Sequence, residues 1–141
     1  MRTLGLALAL LLASACDRTP DHAPDRAPAR ETVRAPVAEL TVDQVDHLLA
    51  DHACVPVDAN GDPLRKRLGV LPGAVLLGDL DAPYRLPADQ ATQLVFYCAN
   101  TACDASHYAA DKARDLGYAR VAVMPAGIAG WVKAGKPIQT L

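Results

Sequence analysis

The residues with chemical potential cluster in one stretch, Val95 to Ala110, which reads VFYCANTACDASHYAA. Cys98 follows directly on a β-forming apolar run, and Cys103 stands five residues later, where a helix begins. A structural thiol belongs inside an apolar run rather than at its exit. A short loop leading from a strand into a helix turns successive backbone N–H groups inward, and the helix adds the positive end of its dipole. Both effects favour a thiolate, so Cys98 is expected to have a depressed pKa and to act as a nucleophile. The amides of Ala99, Asn100, Thr101, Ala102 and Cys103 would form the anion cradle, which would hold a persulfide anion equally well. The competing reading of Cys98 is an unreactive core thiol, since free cysteines are often buried.

The neighbours of Cys98 carry plainer readings as well. Cys103 has two: a resolving thiol that pairs with Cys98, or a small loop residue whose side chain points away. Asp104 is expected to be the N-cap of the helix that starts at Ala105. Cys98, Cys103 and His107 can be drawn as a metal site, but His107 falls on the polar helix face, so no metal is expected. Cys54, at the start of a buried strand, reads as packing, and Trp131 as a core anchor. His22, His47 and His52 have no catalytic setting.

The elements that must hold Cys98 follow from periodicity. Thr41 is a plausible N-cap for a first amphipathic helix carrying Val42, Val45, Leu48 and Leu49. Cys54 to Asp58 reads as a strand and Ala59 to Pro63 as a loop. Further strands are expected at Ala74 to Leu77, Leu94 to Tyr97 and Arg120 to Met124. Between the last two, Ala105, Tyr108, Ala109, Ala113 and Leu116 form an apolar helical stripe that Gly117 ends. His107, Asp111, Arg114 and Asp115 occupy the other face of that helix. Strand, helix and strand within about thirty residues make a βαβ unit with parallel strands. A short helix, Ile128 to Ala134, closes the chain. The fold class is therefore α/β, a small mostly parallel sheet with helices on both faces. Ligands of such sheets sit at the carboxyl ends of the strands, where Cys98 stands.

Beyond these patterns, the stretch from Phe96 to Ile138 resembles the active-site half of a rhodanese-like domain. The matching motifs are Cys98 after its strand, Gly117-Tyr118, Gly127-Ile128-Ala129-Gly130-Trp131 and Gly135-Lys136-Pro137. Upstream, Val55 to Asp58 resembles the strand ending in an acidic turn, and Gly69 to Ala74 resembles the family's G-h-[IV]-P-G-A. The resemblance implies a sulfurtransferase that needs no cofactor. In such an enzyme Cys98 takes sulfur from a sulfane donor, holds it as a persulfide and passes it to a thiol or cyanide. The departures are also informative. The loop from Cys98 to Cys103 has no basic residue, and Cys103 stands where the family often has Arg. Thiosulfate is therefore expected to be a poor donor. Asp104 takes the slot of the phosphate-binding Arg in related phosphatases and arsenate reductases, where a carboxylate would repel an oxyanion. The Arg usual after the acidic strand end is absent from Asp58-Ala59-Asn60. Two alternatives stand beside the sulfurtransferase: a thiol-disulfide redox protein using Cys98 and Cys103, and a catalytically silent binding module.

The rest of the 141-residue chain concerns delivery. Arg2 and the apolar run Leu4 to Leu12 have the proportions of a signal peptide, expected over residues 1–15. Ala13-Ser14-Ala15 satisfies an ordinary signal peptidase, whereas Leu12 to Cys16 resembles a lipobox, in which Cys16 would carry lipid and anchor the chain to a bacterial membrane on its periplasmic side. The alternative is a soluble periplasmic or secreted form. Residues 16–37, rich in proline and charges of both signs, read as a disordered tether, and residues 38–141 as one domain. A formal net charge of -2 and a pI near 6.0 give nucleic-acid binding no electrostatic support.

Overall fold

A computed structural model describes residues 34–79 and 85–141. The expected signal peptide, Cys16 and most of the expected tether lie outside the described residues. Of the tether's last residues, Arg34 pairs with Asp115 at 2.6 Å and Val37 packs against the core, so the contacts of the domain begin ahead of Ala38.

Nine elements alternate along the chain: β1 (Ala38–Glu39), α1 (Val42–Ala50), β2 (Val55–Asp58), α2 (Asp62–Leu68), β3 (Val75–Leu76), β4 (Leu94–Tyr97), α3 (Ala105–Asp115), β5 (Val121–Val123) and α4 (Gly127–Lys133). The strands form one parallel sheet in the order β1-β5-β4-β2-β3, with β4 at its centre. Cys98 thus leaves the middle strand of the sheet.

Strand periodicity divides the core cleanly. Val57, Leu94, Phe96 and Val123 face α3 and its alanines Ala109, Ala110 and Ala113. Val95, Tyr97 and Met124 face the opposite way, against Val45 of α1, Leu64 and Leu68 of α2, and Ile128 and Trp131 of α4. Helices therefore cover both faces, as the sequence implied. Small alanines let α3 lie close on the sheet. At its far end Gly117, with φ +97°, turns the chain while Tyr118 donates to the Ala113 carbonyl.

Local chemistry explains most boundaries. Thr41 Oγ1 accepts from the Gln44 amide at 3.2 Å and the Gln44 side chain accepts from the Thr41 amide at 2.8 Å, a complete capping box. Trp131 donates to the Pro137 carbonyl at 2.7 Å, which fixes the Gly135-Lys136-Pro137 turn beneath α4.

Two expectations need correction, and one strand has no counterpart among those expected from the sequence. The segment read as a loop at Ala59 to Pro63 opens α2; Pro63 sits in that helix's first turn, where its missing N–H costs nothing. β1 is a two-residue strand too short to carry a periodic signal. The buried stripe of α3 is rotated: Ser106 and Ala110 are buried, while Tyr108 and Leu116 are exposed. Exposure of those two apolar residues leaves room for the small residues that fit against the sheet.

Candidate active site

β4 is buried along its whole length, so its last residue delivers the chain at the carboxyl edge of the sheet with little freedom. Cys98 emerges there and is only 1% exposed. Its backbone is clamped by the first turn of α4, where Ile128 donates to the Cys98 carbonyl at 2.9 Å and Ala129 to the Ala99 carbonyl at 3.0 Å. The clamp requires Gly127. At φ +60° a side chain is strained, and a Cβ there would lie 2.5 Å from the Cys98 carbonyl oxygen. Gly127→Ala is accordingly expected to cost about 3 kcal/mol of stability and to displace the loop. Urea denaturation together with the alkylation rate of Cys98 checks this; an unchanged midpoint would mean that the contact is soft.

The loop folds on itself through Asn100. The Asn100 carbonyl accepts from the Cys103 amide at 3.1 Å, and its side-chain oxygen accepts from the Ala102 amide at 3.0 Å. Such side-chain-to-backbone turns are the common habit of asparagine. Asn100, Thr101 and Ala102 are exposed and Cys103 is half-buried. The turn consumes two of the five amides expected to cradle an anion and directs the Cys103 carbonyl inward. The Cys98 thiol donates to that carbonyl at 2.9 Å and lies 3.3 Å from the buried Ser106 hydroxyl.

These contacts reverse the expected electrostatics of Cys98. Burial pushes its thiol up, the neighbouring Cys103 side chain adds to this, and the Ser106 hydroxyl opposes it. At Cys103 burial also acts upward, but hydrogen bonds from Cys98 and from the Ala99 and Ala105 amides outweigh it and bring the thiol below its usual range. The donors of the loop thus converge on the second sulfur rather than the first. Cys98 and Cys103 lie together, whereas Cys54 packs in the cluster on the other face of the sheet, its thiol pushed up to about 11 by burial.

Asp104 departs from its expected role, and His107 is paired elsewhere. Asp104 occupies the N-cap position of α3, but its backbone is helical and its side chain makes no capping bond. His107 is turned toward Glu39, with 3.5 Å between Nε2 and the carboxylate, and does not join the two cysteines. Ser106 was not legible as a site residue, because a serine in a helix's first turn ordinarily signals capping; only the packing of α3 brings it to the sulfur.

The Arg missing after Asp58 is supplied from elsewhere. Arg65 of α2 reaches back, its Nε 3.4 Å from Asp58 Oδ1, and its Nη2 donates to the carbonyls of Asp58 and Leu77 at 3.1 and 2.7 Å. Asp58 Oδ1 also accepts from the Asn60 amide at 2.6 Å. Arg65 is 4% exposed, and its donors are spent on the ends of β2 and β3 rather than offered to an anion. The cation therefore fixes the strand ends beside the site.

A parallel five-stranded α/β domain with a thiol at the exit of its central strand, followed by a tight loop and a helix, is the architecture of rhodanese-fold thiol proteins. The rhodanese-like domain family matches residues 41–134, and the chain belongs to that family. Among solved structures, a protein of unknown function from Rhodopseudomonas palustris, described as a possible tyrosine phosphatase, is 32% identical with a TM-score of 0.63, over 73% of this chain and 85% of that one. The single-domain sulfurtransferase of Saccharomyces cerevisiae is 24% identical with a TM-score of 0.58, over 75% of this chain and 99% of that one. The human single-domain sulfurtransferase is 19% identical with a TM-score of 0.58, over 71% and 97%. No curated protein matches the chain.

Proposed function

We propose that the chain is a sulfurtransferase in which Cys98 accepts sulfane sulfur as a persulfide and passes it to a thiol or to cyanide. The observation that carries this reading is the placement of Cys98, clamped at the exit of β4 with Ser106 at its sulfur, in a chain of the rhodanese-like family. Cys98 loses its proton, its sulfur attacks the terminal sulfur of the donor, and the donor's remainder leaves with the bonding electrons. The Ser106 hydroxyl favours the anion of Cys98 in that step.

Donor preference tests this reading. The loop and Asp104 contain no cation, two of its amides are already bonded, and a carbonyl faces the sulfur. A dianionic donor such as thiosulfate therefore lacks the charge-assisted bonds that would offset its desolvation. With cyanide as acceptor, kcat/KM for thiosulfate is expected to fall about 10²-fold below that for an organic persulfide (RSSH). Equal values for the two donors would refute this account of the loop. Asp104 likewise weighs against phosphatase chemistry, since it places a carboxylate where a phosphoryl group would need a cation.

The delivery of the domain belongs to the same proposal. The apolar run Leu4 to Leu12 and Cys16 support export with lipid attachment at Cys16 on the periplasmic side of a membrane. The mass of the mature N-terminus separates that form from a soluble one.

A further inference from the structure

The loop holds a second thiol where a sulfurtransferase using only Cys98 has no need of one. Cys103 is half-buried and packs against the same core cluster as Cys98. Its own carbonyl is 2.9 Å from Cys98 Sγ, so the inner sulfur of any persulfide formed on Cys98 starts beside Cys103. The loop is already closed by its two bonds to Asn100, so bringing the thiols together requires little further ordering. Cys54, across the sheet, has no route to either sulfur.

We infer that Cys103 is an internal acceptor that discharges the Cys98 persulfide as hydrosulfide, making the chain a dithiol-dependent sulfane-sulfur reductase. The inference rests on the persulfide reading above. The sulfur of Cys103 attacks the sulfur of Cys98; a Cys98–Cys103 disulfide forms and the bond between Cys98 and the outer sulfur breaks. The outer sulfur takes the bonding electron pair and the proton from Cys103, and leaves as HS⁻. The sulfane sulfur is thereby reduced and the two cysteines oxidised, with atoms and electrons balanced. A dithiol reductant then returns both cysteines to thiols by exchange, and its own disulfide carries off the oxidising equivalents. The Ala99 and Ala105 amides aimed at Cys103 favour its attacking form. The chemical partners are thus a sulfane donor on one side and a protein or small-molecule dithiol on the other.

The test uses the full-length reduced chain, an organic persulfide (RSSH) in equimolar amount, and no added thiol or cyanide. Released sulfide is measured over time, and the peptide carrying Cys98 and Cys103 is weighed. Wild type is expected to release about one sulfide per chain, and its peptide to lose two hydrogens and retain no extra sulfur. Cys103→Ser is expected to keep one added sulfur on Cys98, removable by cyanide, and to release sulfide about 10²-fold more slowly or not at all. Wild type that keeps its added sulfur as long as Cys103→Ser would overturn the inference and leave the persulfide reading standing. If Cys103→Ser, folded by circular dichroism, never gains a cyanide-labile sulfur while Cys98→Ser does, the persulfide reading itself fails and the inference fails with it.

Discussion

Replacing Cys98 by serine is expected to lower thiocyanate formation from an organic persulfide by about 10³-fold or more, while leaving the fold intact. Serine nearly preserves the side-chain volume and can still donate to the Cys103 carbonyl, so the loop keeps its closure. What disappears is a sulfur able to bond another sulfur. Because burial first, and the Cys103 side chain second, push the Cys98 thiol up, the wild-type rate of transfer to Cys98 is expected to climb with pH. It should continue rising beyond the ordinary cysteine value of about 8.5, since only the thiolate attacks. A pH–rate profile that levels off near neutrality would show another group removing the proton, and turnover persisting in Cys98→Ser would move the nucleophile elsewhere.

Arg65→Met is expected to cost about 3–5 kcal/mol of stability. The guanidinium bridges Asp58 Oδ1, two strand-end carbonyls and Asp62, and Asp58 is fully buried. Without Arg65 the Asp58 carboxylate loses its cation and keeps the Asn60 amide on Oδ1, while its Oδ2 already has no hydrogen-bond partner among the described residues. A buried carboxylate left in that state costs far more than the lost attraction alone. Removing the charge as well, in Asp58→Asn with Arg65→Met, is expected to recover about half of the loss in urea denaturation. A double variant no better than the single one would show that the two strand-end carbonyls, rather than the charge pair, carry the effect. Asp58 is paired in register with Tyr97, the residue before Cys98, so transfer activity should fall in parallel with stability.

The features legible from the sequence are those encoded by neighbours along the chain. The continuous apolar run Leu94 to Tyr97 marked the central strand, the capping pattern at Thr41 marked α1, and the alanine-rich segment before Gly117 marked α3. With Cys98 at the strand exit and the ordered motifs downstream, these specified a parallel α/β domain and its candidate nucleophile. Where local signals had two meanings, the sequence was ambiguous. Asp62-Pro63 serves equally for a turn and for a helix start, and β1 forms only because β5 offers it an edge.

Contacts between residues distant in sequence decided the rest. Arg65 replaces the missing strand-end cation because α2 folds back over β2, a geometry that no spacing rule anticipates. Ser106 reaches Cys98 because α3 rotates to place its small residues on the sheet. The electrostatics of the loop depend on where the Asn100 turn directs its amides and carbonyls, and amino-acid type does not encode that direction. Sequence by itself determined which residue types stand at the edge of the sheet and in what order. Tertiary structure decided which sulfur the donors favour, because hydrogen-bond orientation and burial are properties of the folded backbone.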